Sequence, residues 1–302
     1  DGSHTFEVRA VNSFGNADPT PATHTWIVDN AAPTAAFGSP SSALTASTAV
    51  SYTLTVTDVS FNESSLTVSD FTLNKTGTAN GTIQLSGSGN TRTVTIINIT
   101  GNGTLGVTLK AANIADTLNN KNASAVVATP FAVDNTKPTV TISAASVPST
   151  STGTVTYTVT YSDTNLGAIT LSDLDVTVIP TGTATGTVTV GPGSSGNTRT
   201  VTISGISGDG TLGIMIAANT ASDAAGNTAL AAGPSATFVV DNSAPSVSIG
   251  APAVVNGVLT FTVTYSDPTL ATITLLPGNV TLNKTGTANG TVQVSGTGNA
   301  RT

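Results

Sequence analysis

A repeat of just over 100 residues is the feature that most constrains the fold of this chain. The string NTRTVTI occurs at 90–96 and again at 197–203. The tripeptide VDN also recurs, so Asp29 is followed by Asp134 after 105 residues and by Asp241 after a further 107. Since seven short strands with their turns need about 100 residues, this period predicts one small β-sandwich domain per repeat.

The repeat divides the chain into four parts. We expect the back half of one repeat at 1–30, complete repeats at 31–135 and 136–242, and the front half of another at 243–302. The first residues have the pattern of the middle of a domain, so we expect the true start to lie further upstream.

Strict alternation of apolar and polar residues predicts the strands. In the string TVTYTVTY at 154–161, period two places the valines and tyrosines on one face and the threonines on the other. Equivalent apolar stripes are predicted in three repeats: Val50, Tyr52, Leu54 and Val56; Val155, Tyr157, Val159 and Tyr161; and Leu259, Phe261, Val263 and Tyr265. The seven strands predicted in the second complete repeat are 138–144, 154–161, 174–179, 185–190, 198–204, 211–218 and 235–241. The Ala-rich segments 111–118 and 217–226 are interpreted as a strand end and a loop.

Composition excludes several classes of protein. Charged residues make up only 8% of the chain and the formal net charge is −7, with nine scattered basic residues, which argues against nucleic-acid binding. There is no cysteine, so cysteine-based redox sites and cysteine-based zinc sites are excluded. No apolar run reaches the roughly 18 residues of a membrane span, and we predict none in this segment.

Several strings resemble bacterial immunoglobulin-like repeats of large cell-surface adhesins and biofilm proteins. They are TVTYSD, GNTRTVTIS, GDGTLGI, ASDAAGNT and ATFVVDNSAP, and the resemblance covers essentially the whole chain. It implies an all-β fold of tandem seven-stranded immunoglobulin-like β-sandwich domains arranged end to end. It also implies an extracellular or cell-surface location, with neighbouring repeats of the same chain as the first partners.

The few acidic residues recur at equivalent positions. Twelve of the sixteen fall at positions that are acidic in more than one repeat. In an immunoglobulin-like sandwich, the entering chain, the loop after the second strand and the loop before the last strand meet at one pole. Oxygen ligands from three such segments suit calcium, which takes six to eight oxygens in irregular geometry.

We therefore predict calcium at the junctions between repeats. The ligands expected at the three junctions are Asp29, Asn30, Asp58 and Asp116; Asp134, Asn135, Asp163, Asn165, Asp223 and Asn227; and Asp241, Asn242 and Asp267. The linker between repeats is the segment in which VDN is followed by proline, at 28–33, 133–138 and 240–245. It loosely resembles the calcium-binding linker of cadherins, although the acidic pairs that complete cadherin sites are missing. The alternative is that these residues only form turns, because Asp and Asn bond to their own backbone.

Other candidate residues favour structural roles. Arg92, Arg199 and Arg301 recur in one motif and are predicted to point outward from a strand, where a charge discourages edge pairing. Trp26 is predicted to lie in a core, and His4 and His24 on exposed strand positions. No nucleophile elbow and no cleft with paired carboxylates is indicated, so we expect no enzyme.

Three functional hypotheses follow. The first is a non-catalytic stalk or spacer of a surface adhesin, stiffened by calcium. The second is a subunit of an extracellular filament, sheath or surface layer, in which the half repeat at 243–302 of one copy is completed by residues 1–30 of another, as in donor-strand pairing. The third, a carbohydrate-binding module, would need exposed aromatic residues on one face.

Overall fold

The computed structural model describes residues 1–302 and contains only strands, turns and four one-turn 3-10 helices. The strands, in chain order, are β1 (Gly2–Val8), β2 (Ala22–Val28), β3 (Thr34–Phe37), β4 (Leu44–Thr45), β5 (Val50–Thr57), β6 (Phe71–Lys75), β7 (Asn80–Ser86), β8 (Thr91–Thr100), β9 (Gly103–Leu109), β10 (Val126–Val127), β11 (Phe131–Val133), β12 (Thr139–Ile142), β13 (Ser149–Thr150), β14 (Val155–Ser162), β15 (Leu166–Ile169), β16 (Val176–Pro180), β17 (Thr185–Pro192), β18 (Thr198–Ser207), β19 (Gly210–Ile216), β20 (Ala221–Asp223), β21 (Phe238–Val240), β22 (Ser246–Ile249), β23 (Ala253–Val255), β24 (Val258–Thr260), β25 (Val263–Ser266) and β26 (Ala300–Arg301). The 3-10 helices are Glu63–Ser65, Val68–Asp70, Asp173–Asp175 and Pro277–Asn279. No helix is long and apolar enough to cross a membrane.

The chain forms two compact units. The first comprises Asp1–Lys137, Asp163–Gly167 and Ser222–Asn227, and the second comprises Pro138–Ser162, Ala168–Ala221 and Thr228–Thr302. Two loops from the region 136–242 thus belong to the first unit. The division into four repeats remains a prediction from the sequence.

The first unit contains a sandwich of two sheets. One sheet has the order β3-β5-β8-β7, and the other has the order β10-β9-β11-β4, with β6 also paired to β9. The alternation of β5 places Val50, Tyr52, Leu54 and Val56 in the core between them, as predicted. Most pairs are antiparallel, and the short β4 runs parallel to β11.

The second unit repeats this arrangement with the sheets β12-β14-β18-β17 and β13-β21-β19-β16. The stripe on β14 is buried throughout its length, as predicted. These paired sheets confirm the all-β, immunoglobulin-like sandwich class. The seven predicted strands are present, and three short strands join them: β13, β15 and β20. The Ala-rich segment 217–226 contains β20 and turns rather than a helix.

A buried tyrosine ties each core to the segment before its last strand. The Tyr52 hydroxyl donates to the Thr129 carbonyl at 2.8 Å, and the Tyr157 hydroxyl donates to the Ala236 carbonyl at 3.0 Å. Burial raises the pKa of Tyr52 to about 12. Each phenol therefore stays neutral at physiological pH and remains a hydrogen-bond donor.

The predicted outward direction of the arginines is wrong for Arg92, which is only 5% exposed. Arg92 has the same strand parity as the core residue Val94 and lies opposite Leu54, so its side chain starts on the inner face of β8. Its guanidinium bonds the Gly89 carbonyl and lies 5.9 Å from the Phe61 ring centroid. Arg199 and Arg301 are partly exposed and donate to the equivalent carbonyls of Gly196 and Gly298.

Two further predictions of burial fail in the terminal parts of the chain. Trp26 is 44% exposed on the β1-β2 hairpin, where it stacks with His4 and His24. Leu259 and Phe261 of the third apolar stripe are also exposed. The strands that cover this stripe in the second repeat, β19 and β21, have no counterpart within residues 243–302.

Candidate metal centre

Three carboxylates converge in the first unit at the entrance to the sandwich of β3–β11. Asp29 follows β2, Asp58 follows β5, and Asp116 lies in the loop between β9 and β10. One carboxylate oxygen of each residue lies within 4.8 Å of those of the other two. Asp29 and Asp116 are buried, and Asp58 is partly buried. The structure therefore brings together the three acids that the sequence assigned to this junction.

Asp116 is held in its charged form. Burial opposes ionisation, but the Asn120 side chain and the backbone N–H groups of Asn120, Leu118 and Asn119 donate to the carboxylate and keep its pKa below the usual range. The Asn120 amide nitrogen lies 2.6 Å from one oxygen of Asp116, and two of the backbone nitrogens lie 2.8 Å from the other. This carboxylate is a fixed negative charge at neutral pH.

A second cluster consists of Asp134, Asp163 and Asp223, all within the first unit. Asp134 follows β11, Asp163 follows β14, and Asp223 ends β20. The carboxylate oxygens again lie within 4.8 Å of one another. Asp223 is buried and the other two are partly buried.

Asn165, in the loop between β14 and β15, has a side-chain oxygen with no hydrogen-bond partner. Its backbone N–H donates to Asp163 at 3.0 Å, and its carbonyl accepts from the Ala224 N–H at 2.9 Å. The side-chain oxygen Oδ1 is buried and has no hydrogen-bond partner. A buried oxygen without a donor is costly and rare in folded proteins, and it is a candidate metal ligand.

Asp241 and Asp267 are joined in the second unit by a hydroxyl group. The Thr269 Oγ1 lies 2.6 Å from Asp241 and 3.1 Å from Asp267. The sequence prediction placed both acids at a third junction but missed Thr269. Threonine is so frequent in this chain that its identity gave no signal.

The turn bonds use only one oxygen of each linker and loop acid. In six linker and loop acids, Oδ1 accepts a hydrogen bond from the backbone N–H of the second residue after the acid. The N···O distances are 2.7 to 3.0 Å. These acids are Asp29, Asp58, Asp134, Asp163, Asp241 and Asp267. Each is therefore a turn former with a second oxygen that this turn does not use.

Two asparagines cross-link the clusters to the linkers. The Asn227 amide donates to Asp223 at 2.7 Å and to the Asp134 carbonyl at 2.8 Å. The Asn120 amide makes the same bonds, to Asp116 at 2.6 Å and to the Asp29 carbonyl at 2.8 Å. Asn227 was predicted as a ligand, whereas its amide nitrogen faces the acid here. Asn120 was missed, although it follows Asp116 by the same four residues as Asn227 follows Asp223.

The linker asparagines do not join the acidic clusters. The Asn135 backbone N–H bonds the Asn102 side chain, and its amide donates to the Gly101 carbonyl at 2.7 Å. Asn242 bonds Asp209 and the Gly208 carbonyl in the same way, and Asn30 bonds Asp1. Asn135 therefore holds its linker to the turn before β9, and Asn242 holds its linker to the equivalent turn before β19. Asn30 holds its linker to residue 1. Asp209, Asn102 and Asp1 carry this contact.

The chemistry of both clusters fits a hard cation. Neither of the two ion pairs in the structure, Arg9–Glu7 and Arg92–Glu63, involves a cluster residue. Two unit charges 4 Å apart repel by about 4 kcal/mol at an effective dielectric constant near 20. Three carboxylates without a basic partner form the kind of oxygen donor set that calcium prefers.

Comparison with known proteins identifies no family. No family model matches the chain, and no curated protein matches it. Among solved structures, the adhesin FdeC of Escherichia coli is 17% identical at a TM-score of 0.32, with 80% of this chain and 74% of that chain covered. InvD of Yersinia pseudotuberculosis is 16% identical at a TM-score of 0.28, with 76% and 68% covered.

A tandem of titin domains I9–I11 is 11% identical at a TM-score of 0.29, with 89% of this chain and 88% of that chain covered. Similarity at this level assigns no role to the chain. The fold class is established by the paired sheets themselves, and the role has to be argued from the residues at the junctions.

Proposed function

We propose that this chain is a non-catalytic repeat region of an extracellular surface protein, and that it acts as a spacer whose linkers are stiffened by calcium. The observation that carries the proposal is the pair of three-carboxylate clusters at two successive linkers. Each cluster joins one linker acid to two loops that are distant in sequence. A cation bound there would fix the linker against both loops at once.

The hydrogen bonds of the linker support a spacer role. Two adjacent residues of one linker contact parts of the chain on either side of it in sequence. Asn135 bonds the earlier turn at Gly101 and Asn102. Asp134 lies in a cluster with the later residues Asp163 and Asp223. A linker held from both sides has few free backbone dihedral angles. Calcium would add the one contact that hydrogen bonds cannot supply, because three carboxylates repel one another in its absence.

The test is thermal unfolding of the whole chain with calcium and with chelator. A ligand that binds only the folded state stabilises it by about 2.7 kcal/mol at a free concentration one hundred times Kd. We expect calcium to raise the midpoint for the wild type and for Asp18→Asn, which alters an acid outside the clusters. The double variant Asp29→Asn, Asp134→Asn should lose this rise, because each cluster keeps only two charges.

Asparagine keeps the shape and the turn-forming oxygen of aspartate, so the double variant should fold. Equal midpoints with calcium and chelator in the wild type would overturn the calcium proposal. A calcium effect that persists in the double variant would place the ion elsewhere. If calcium has no effect, the linkers depend on hydrogen bonds such as those of Asn120, Asn135, Asn227 and Ser60.

A second candidate function is assembly of copies into a filament, sheath or surface layer by strand completion. Exposed apolar side chains favour it: Phe6 and Trp26 lie on one face of the β1-β2 hairpin, and Leu259 and Phe261 belong to the third stripe. Sedimentation of the whole chain over a range of concentrations tests the idea. A second copy would give dimers or longer species, which Phe261→Ser should weaken, whereas a monomer at all concentrations would exclude it.

A further inference from the structure

The junctions differ at the second residue after the loop acid. This residue is Ser60 after Asp58, Asn165 after Asp163 and Thr269 after Asp267. Two of the three carry a hydroxyl group and one carries an amide. The backbone N–H of all three makes the same turn bond to the acid, so only the side chains differ.

Where the side chain is a hydroxyl, the linker acid is tied to the loop without any ion. The Ser60 Oγ donates to Asp29 over 2.7 Å and lies 3.3 Å from Asp58. The Thr269 Oγ1 makes the equivalent contacts with Asp241 and Asp267. One short hydrogen bond to a charged acceptor thus closes each of these junctions.

At the Asn165 junction this bridge is missing. The Asp134 side chain accepts only the N–H of Thr136, over 2.8 Å, and receives no bond from the loop. The buried Oδ1 of Asn165 is an acceptor, so it cannot bond a carboxylate. The Asn165 backbone bonds Asp163 and the neighbour of Asp223, Ala224. A cation held by the three acids would therefore supply the missing link to Asp134 and would give the buried oxygen a partner beside them.

We infer that Asp134, Asp163, Asp223 and Asn165 form the tighter of the two calcium sites, and that the Asp134 carboxylate alone depends on the ion for a bond to the loop after β14. The inference rests on the proposed function, since it concerns the same clusters. The Asp29 cluster takes calcium more weakly, because the ion must compete with the Ser60 hydroxyl for Asp29. Removal of calcium frees the Asp134 carboxylate and loosens its linker, which keeps the Asn227 bond, whereas Asp29 keeps both the Asn120 bond and the Ser60 bond.

A reciprocal exchange of the two side chains in the whole chain tests this inference. Calcium titration calorimetry should resolve two sites in the wild type that differ at least tenfold in Kd. Asn165→Ser should weaken the tighter site at least tenfold, and Ser60→Asn should strengthen the weaker one. Hydrogen exchange in chelator should be faster at 134–137 than at 29–31 in the wild type, and Asn165→Ser should slow exchange at 134–137.

The outcomes separate this inference from the proposal on which it rests. Absence of any calcium binding would overturn both. Two sites of equal affinity that the exchanged variants do not alter would overturn the inference and leave calcium stiffening intact. Equal exchange at the two linkers in chelator would also count against it, because both linkers would then be held without the ion.

Discussion

The strand β5 and the segment of β24 and β25 carry the same alternating pattern in very different surroundings. Leu54 on β5 is completely buried, whereas Leu259 on β24 is 59% exposed. Both alternate with polar neighbours, so the local pattern does not distinguish them. The difference lies in the second sheet, which packs on β5 and has no counterpart over 258–266. Alternation selects which face of a strand is apolar, and a second layer decides whether that face is buried.

The largest expected effect separates these two leucines. Leu54→Ala should destabilise its sandwich by about 2–5 kcal/mol, since it removes buried methyl groups and leaves a cavity. Leu259→Ala should change stability by no more than about 0.5 kcal/mol, because its side chain is largely in solvent. Hydrogen exchange at 50–57 and 258–266 reports each region separately. Equal losses at the two sites would mean that a second layer also covers Leu259 in solution.

A smaller difference is expected between two arginines of the same motif. Arg92→Met should cost about 1–3 kcal/mol, because the bond between the buried Arg92 side chain and the partly buried Gly89 is lost. Arg199→Met should cost less, since Arg199 is partly exposed and water can replace its bonds. Calorimetric midpoints of the two variants provide the measurement. Glu63→Gln is the control and should change little, because the carboxylate is exposed.

The smallest expected effect on stability concerns the residue that binds the linker asparagine. This residue is Asp209 at Asn242 and Asn102 at Asn135. The Asn242 backbone N–H and the Ser243 hydroxyl donate to Asp209 and lower its pKa. A lowered pKa stabilises the fold above the unfolded value, near 3.9, and this stability is lost as pH falls through the folded value. Asp209→Asn should therefore flatten the acid limb of the stability curve, whereas Asn102→Asp should steepen it. Identical acid limbs in the wild type and both variants would contradict this account.

The sequence predicted the strands and the grouping of the acids because both follow from period and topology. Asp58 and Asp116 are far apart in the chain, yet the order of strands in an immunoglobulin-like sandwich places their loops at one pole. The sequence analysis missed the side chains that connect the acids, because the residue type alone does not show which way a hydroxyl side chain points. Ser60 and Thr269 are two hydroxyls among many, and only the tertiary structure shows which of them face a linker.

The error at Arg92 has a different origin. Parity along β8 assigns Arg92 to the same face as Val94, yet its charge led to the prediction of an outward side chain. The guanidinium lies at the end of the inner face, where a loop carbonyl and an aromatic ring accept it. Strand parity was therefore the better guide, because a long side chain can leave the core through its edge.

The adjacency of Asp134 and Asn135 has a consequence for how such a chain changes length in evolution. In each linker the asparagine bonds residues earlier in the chain, and the aspartate before it meets residues later in the chain. Unequal recombination between two linkers removes or adds about one repeat and always regenerates an intact Asp-Asn pair. Such an event would preserve the Asp-Asn pair, whereas the loop side chain that meets the aspartate would be that of the copy downstream of the crossover.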